Sequence, residues 1–178
     1  VVSEQDAKRF RHIVKSVSMR VIGDTRYDQV YYRAHEKGKI KVLYDLNKFS
    51  PEHTIVLGST WPSDEKILLP PTINLLLENP EKNVIVAPHE VTQEHIEQIQ
   101  HTFDDQNIKS VRLSTLLERK IGNFRVLVVD KIGLLANIYG LCDLAFVGGS
   151  FGPGVHNVIE PAAHSCAVFF GPRHINSP

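Results

Sequence analysis

Short apolar runs separated by amphipathic stretches carry most of the chain's structural information. Residues 54–57, 83–87, 110–113, 125–129, 144–147 and 168–170 are such runs and predict strands. Between them, apolar residues recur at helical spacing. The pattern predicts helical stretches after 54–57 that are interrupted at Pro70-Pro71, and helices over 93–103, 133–139 and 158–164. Strands alternating with helices imply βαβ units, hence an α/β, Rossmann-like parallel sheet with flanking helices. The first fifty residues read differently. Ser3 looks like an N-cap with acids behind it, and Ala7, Phe10, Ile13 and Val14 repeat at helical spacing. A short strand is expected at 19–22, a second helix from about 27 to 36 that stops at Gly38, another turn or two within 40–49, and a turn at Ser50-Pro51.

The stretch after 144–147 is the richest in chemistry. Gly148-Gly149-Ser150-Phe151-Gly152-Pro153-Gly154 leads into a predicted helix start at Val158, with Glu160 in or just before its first turn. A strand that empties through glycines into a helix start is a place to hold an anion, because backbone N–H groups can come close and the helix dipole favours negative charge. A carboxylate at Glu160 could accept hydrogen bonds from sugar hydroxyls. Two other readings compete. Gly148-Gly149-Ser150-Phe151-Gly152 also fits the G-x-S-x-G elbow of α/β-hydrolases, but Gly152-Pro153-Gly154 delays the helix and no Asp follows Ser150. A ligand-free glycine turn is the other.

In open parallel sheets ligands bind beyond the carboxyl ends of the strands. Here those exits read Gly58-Ser59-Thr60, Pro88-His89-Glu90, Asp130-Lys131-Ile132-Gly133, Gly148-Gly149-Ser150 and Gly171-Pro172-Arg173-His174. Small, polar and charged groups gathered on one edge favour a nucleotide site. A Walker A loop is missing, as is a strand-borne G-x-G-x-x-G with an acid some distance on, which argues against ATPase and NAD dehydrogenase chemistry. Binding of a nucleotide sugar by loop amides and a sugar-gripping Glu remains.

Composition narrows this further. Lys plus Arg and Asp plus Glu both total 20, so the formal charge is zero, which argues against nucleic acid as a partner. The apolar runs are too short to span a bilayer. Cys142 and Cys166 sit in apolar contexts and are expected to be buried free thiols. The nine histidines show no H-E-x-x-H or C-x-x-C spacing, so no metal site is expected. The start, Val1-Val2-Ser3-Glu4, has neither an initiator Met nor a signal-peptide pattern and reads as an excised piece of a longer chain.

Val147-Gly148-Gly149-Ser150-Phe151-Gly152 followed by His156-Asn157-Val158-Ile159-Glu160-Pro161-Ala162-Ala163 resembles the 3-deoxy-D-manno-octulosonic acid (Kdo) transferases of lipopolysaccharide synthesis. Gly171-Pro172-Arg173-His174-Ile175-Asn176-Ser177, Gly58-Ser59-Thr60-Trp61, Ala87-Pro88, Asp130-Lys131-Ile132-Gly133-Leu134-Leu135 and Gly23-Asp24-Thr25-Arg26-Tyr27-Asp28 continue the match in order. The resemblance implies a GT-B fold of two Rossmann-like domains, with this chain mainly the C-terminal, CMP-Kdo-binding one. Residues 1–50 would be the end of the N-terminal domain and the linker, and 51–178 the donor-binding domain, truncated at its C-terminus. It implies Kdo transfer to the lipid A precursor at the cytoplasmic face of the inner membrane, without a cofactor or metal. The catalytic Glu base, the acceptor surface and the membrane anchor would belong to the N-terminal domain, so this fragment would be soluble and inactive alone. By position, Gly148, Gly149, Ser150 and Phe151 would face the phosphate, and Asn157 and Glu160 would hold the ribose or support the loop. Lys131, Ile132 and Gly133 would flank the cytidine, and Ser59 would sit near the donor. One departure stands out: many members read Pro-Arg-His where this chain has Pro88-His89-Glu90, so His89 is the candidate replacement for a cationic contact, and Glu90 would repel a phosphate. Another GT-B glycosyltransferase or epimerase, and a noncatalytic nucleotide-binding module, are the alternative readings.

Overall fold

The computed structural model describes residues 1–35, 37–45, 48–119 and 121–175. Six strands form one sheet: β1 (Thr54–Thr60), β2 (Asn83–Pro88), β3 (Ser110–Arg112), β4 (Val126–Val128), β5 (Leu144–Val147) and β6 (Ala167–Phe169). Their order is β3-β4-β2-β1-β5-β6 and every pairing is parallel. All residues of β2 and β4 are buried, as expected for parallel strands covered on both faces. Side-chain alternation then sorts the core into two layers. On one face Val56, Ile85, Leu127 and Ala145 pack with Ile138, Tyr139 and Leu141. On the other, Leu57, Val86, Val128 and Phe146 meet Leu69 and Leu76 of α4 (Pro62–Glu78) and Ile96, Ile99 and Phe103 of α5 (Gln93–Asp104).

From β1 the chain passes to β2 on one side, whereas from β5 it passes to β6 on the other. The connections therefore part between β1 and β5, and a crevice opens beyond their carboxyl ends.

The opening segment contributes to the same core. Ile40, Leu43 and Phe49 are buried in the first layer. Among the helices here named α1 (Glu4–Ile13), α2 (Thr25–His35) and α3 (Lys41–Asp45), α1 carries the expected Ser3 cap, whose hydroxyl accepts the Asp6 amide. Helix α2 packs on α7 (Leu135–Ile138) and α8 (Ile159–Ala163), and Asn137 donates its side-chain amide to the Arg33 carbonyl at 2.8 Å.

Several local expectations are corrected. Helix α4 runs unbroken through Pro70 and Pro71. The amides these prolines lack would have bonded the carbonyls of Lys66 and Ile67, both exposed residues, so water can serve those carbonyls. Residues 19–22 form no strand: Val1 exchanges bonds with Arg20 and Ile22, too few for a ladder. The helix expected from 27 begins at Thr25 and ends at His35; Gly38 falls inside a 3-10 turn, Lys37–Ile40, and Glu36 lies outside the described residues. The helix expected at 133–139 is shorter, Leu135–Ile138, and continues as a 3-10 turn. An unforeseen helix, α6 (Leu113–Glu118), starts where Asp130, sixteen residues on, accepts the Ser114 amide at 2.8 Å and the Ser114 hydroxyl. Its cap is supplied from another strand, so no local signal marks it.

With Ile40, Leu43 and Phe49 in this core, Leu43→Ala should cost about 2–5 kcal/mol, the usual range for a buried leucine. Urea unfolding of the variant reads this directly, and a loss well under 1 kcal/mol, roughly that of a surface change, would detach the segment from the core.

Candidate functional site

The site begins where β1 stops being regular. Its register with β2 shifts between Gly58 and Thr60, and Ser59 takes φ +52°, a left-handed conformation uncommon outside glycine. Gly58 is there because a Cβ at that point would lie 2.1 Å from the Tyr139 hydroxyl. Across the crevice, a Cβ on Gly148 would meet the Ser59 carbonyl at 2.2 Å, so the exits of β1 and β5 approach as closely as backbones can. Thr60 is buried and donates to Glu65 at 2.7 Å, and Glu65 contacts His95 at 2.8 Å. The His95 Nδ1 donates to the Glu90 carbonyl at 3.0 Å, since a carbonyl can only accept. This buried chain ties β1 to α4, α5 and the exit of β2.

The glycine loop does bind an anion, but it is the protein's own. Asp64, fully buried in the first turn of α4, accepts the Gly149 amide at 2.7 Å, the Phe151 amide at 3.1 Å and the Trp61 amide at 2.9 Å. The Gly148 amide bonds the Gly58 carbonyl at 2.8 Å. Ser150 is fully buried; its hydroxyl accepts the Gly171 amide at 2.6 Å and its carbonyl the Arg173 amide at 3.1 Å. Gly148, Gly149, Ser150 and Phe151 thus brace the exits of β1, β5 and β6 against one another. The bonded amides and the Ser150 hydroxyl do not present themselves to the cleft. The same burial leaves Ser150 unlike the exposed nucleophile of a hydrolase elbow.

The other expected residues converge. One hollow of about 230 Å³ is lined by Ser59, Pro88, His89, Lys131, Ile132 and Gly133. A second, of about 450 Å³, is lined by Arg33, Ser59, Gly133, Leu135, Ala136 and Glu160. They share Ser59, Gly133 and Leu135, so they adjoin along a common wall and are described together as the cleft. Burial raises the Glu160 carboxyl above the usual range, while Arg33, 3.9 Å away, and a hydrogen bond from Asn157 pull it back. Asn157 also accepts the Ile159 amide at 3.0 Å, which fixes the start of α8. Among the described residues, no group of three or more His, Cys, Asp or Glu could hold a metal ion.

A ring cluster flanks the cleft. Trp61 donates its indole N–H to the His156 Nε2 at 2.9 Å, and the two ring planes lie within 4° with centroids 6.3 Å apart. An in-plane bond at that separation sets them side by side. His89 lies flat against both, 4.6 Å from Trp61 and 4.3 Å from His156. Burial and the neighbouring His89 push His156 below the ordinary imidazole value, against the pull of Asp64. Arg33, Trp61, Asp64 and His156 were not singled out as site residues from the sequence. Asp64 reads as an ordinary helix-start acid, and Arg33 lies in the expected linker segment. Trp61 and His156 sit inside matched motifs without any sign that they meet.

No family model matches the chain. A curated 3-deoxy-D-manno-octulosonic acid transferase of Rickettsia felis is 26% identical over 176 residues, 97% of this chain and 36% of the relative. One from Chlamydia pneumoniae is 35% identical over 128 residues, 69% of this chain and 27% of the relative. A probable mitochondrial transferase of the same description from Arabidopsis thaliana is 32% identical over 155 residues, 84% of this chain and 33% of its own. Among solved structures, the C-terminal CMP-Kdo binding domain of WaaA from Acinetobacter baumannii matches with a TM-score of 0.65 at 23% identity, over 82% of this chain and 73% of that one. Fold and cleft together define an open parallel α/β domain of the Rossmann-like class. By sequence the chain is homologous to the Kdo transferases, and it spans about a third of the length of the curated relatives it matches.

The raised Glu160 carboxyl gives a signed pH dependence. The folded protein keeps this proton to higher pH than the unfolded chain, so its contribution to stability is present at low pH and lost as pH rises through the raised value. Glu160→Gln removes that loss. In urea unfolding the variant should gain on the native protein as pH climbs through and above the carboxylate range. A gap that widens toward acid instead would mean that Arg33 and Asn157 outweigh burial.

Proposed function

We propose that this chain is the donor-binding part of a Kdo transferase and that CMP-Kdo occupies the cleft beyond β1, β4 and β5. The observation that carries the proposal is the convergence of Ser59, His89, Lys131, Ile132, Gly133 and Glu160 on two adjoining hollows beyond the carboxyl ends of the strands. In this reading the cytidine lies against Lys131, Ile132 and Gly133, where backbone groups can read its edge and Ile132 can cover its face. Glu160 accepts from the ribose hydroxyls, steadied by Asn157. Gly148, Gly149, Ser150 and Phe151 form the rigid floor under the phosphate. Homology to the Kdo transferases over nearly the whole chain supports the assignment of donor.

The parent enzyme, in the same proposal, is a GT-B glycosyltransferase that passes Kdo to the lipid A precursor at the cytoplasmic face of the inner membrane. Residues 1–50 carry the end of its N-terminal domain and the link to the donor-binding unit of 51–178, and Ile40, Leu43 and Phe49 of that link pack into the unit's core. The acceptor hydroxyl attacks the sugar's anomeric carbon as CMP leaves, and a base must take the hydroxyl proton within hydrogen-bond reach. Glu160, engaged with ribose, does not fill that role, so the base and the acceptor site are assigned to the facing domain. Membrane contact is assigned there too; no helix among the described residues is long and apolar enough to cross a bilayer.

Calorimetry with CMP tests the ribose contact. Glu160→Ala in the full-length enzyme should weaken binding by about 1.5–3 kcal/mol, the range for a hydrogen bond to a charged group. Unchanged affinity would reduce Glu160 to a brace for α8.

A second test concerns catalysis. The 178-residue chain alone, given CMP-Kdo and lipid A precursor, should show no transfer, because orientation of the acceptor, an effect of about 7–11 kcal/mol, would be lacking. Turnover would place the base within these residues, and exposed Glu90, at the exit of β2, would be the first to mutate.

A further inference from the structure

The donor-binding reading leaves one question of charge, and the ring cluster answers it. A nucleotide-sugar phosphodiester carries a negative charge, yet the amides of Gly149 and Phe151 are bound to Asp64. Arg33 stands 3.9 Å from Glu160 in the larger hollow. Lys131 and His89 line the smaller hollow with Ser59.

We propose that the Trp61–His89–His156 cluster is the anion-binding element for the donor's phosphodiester, with His89 taking up a proton as the donor binds; this rests on the donor-binding reading above. The hydrogen bonding divides the labour between the two imidazoles. Indole N–H can only donate, so Nε2 of His156 must accept and that ring carries its proton on Nδ1. Protonating His156 at Nε2 would break the bond to Trp61. His89 is under no such constraint: its ring is exposed and lies on the face of Trp61, where an aromatic quadrupole attracts a cation. A second positive charge at 4.3 Å, on His156, is disfavoured once His89 is charged. The lowered proton affinity of His156 agrees with this division.

The other groups around the ring are Glu90 beside it in the chain, Lys131 on the loop after β4, buried Asp64 behind Trp61, and the buried Glu65–His95 pair beneath the Glu90 carbonyl. An anion lying between Lys131 and a protonated His89 ring would be attracted to both. An anion therefore supplies what the site lacks, and its binding is linked to one proton. Trp61 and His156 are positioning residues, acting through the ring they hold.

The test uses the methyl ester of CMP, a phosphodiester whose single charge does not titrate near neutrality, so any proton taken up belongs to the protein. Calorimetry on the full chain, in buffers of different ionisation enthalpy, should show proton uptake on binding. Affinity should be severalfold tighter at about pH 6 than at about pH 8. His89→Gln should bind weakly with no pH dependence, and His89→Arg should bind tightly at both pH values. Trp61→Phe keeps the aromatic face but frees Nε2 of His156, whose ring C–H signal should then titrate at higher pH than in the native chain. Binding that is independent of pH, or a pH dependence that survives His89→Gln, would overturn the proposal and leave the donor reading intact. An unmoved His156 titration in Trp61→Phe would refute the positioning role. Absence of binding by the ester and by CMP at every pH would overturn the donor reading itself.

Discussion

A carboxylate buried away from solvent is expensive, and three amides point at Asp64 in this fold. It sits in the first turn of α4, where the helix dipole adds to the attraction. From that one group the two sides of the crevice take their positions: the Trp61 amide belongs to the exit of β1, those of Gly149 and Phe151 to the exit of β5. Ser150 extends the arrangement to the exit of β6 through Gly171 and Arg173. Removing the carboxylate would leave the Trp61, Gly149 and Phe151 amides without this partner, each a loss of about 1–3 kcal/mol where the donor stays buried. The loop that looks most like a ligand cradle is therefore a joint between strands.

This arrangement separates holding from binding. Groups whose hydrogen bonds are already made, Asp64, Thr60, Glu65, His95 and Ser150, are buried and set the geometry. Groups with spare capacity line the cleft. Ser59 is held at a positive φ between them, a local strain of about 1–3 kcal/mol, where Gly58 packs on Tyr139 and the Ser59 carbonyl packs on Gly148. Strain of that kind persists only where the surroundings over-determine it.

The sheet was legible in the sequence because each strand is a short apolar run and its exit is polar, a contrast that survives without any knowledge of neighbours. The continuity of α4 was not, because the prolines' effect depends on whether the carbonyls they leave unpaired face water. The start of α6 was hidden for a similar reason, its cap being a carboxylate from β4's exit. At the site, Lys131 to Gly133 and Glu160 could be named from their place after strands. The role of the glycine loop could not, since Asp64 lies some eighty-five positions away from its partners. The ring cluster draws on three separate exits and had no local signature.

Ile132 shows how the cleft can be polar in its chemistry and still favour a flat ring. Its side chain is 87% exposed, at the mouth of the smaller hollow, on a loop turned by Gly133 at φ +82°. An apolar side chain left in water represents an unrealised gain of up to about 1.5–3 kcal/mol. The protein itself does not collect it. In the proposed donor complex a pyrimidine lying over Ile132 would, with its edge groups meeting the backbone of the same loop and its sugar reaching toward Glu160. Orientation then follows from the order of the chemistry along the cleft: apolar cover at one end, carboxylate at the other, and the imidazole cluster beside their shared wall at Ser59.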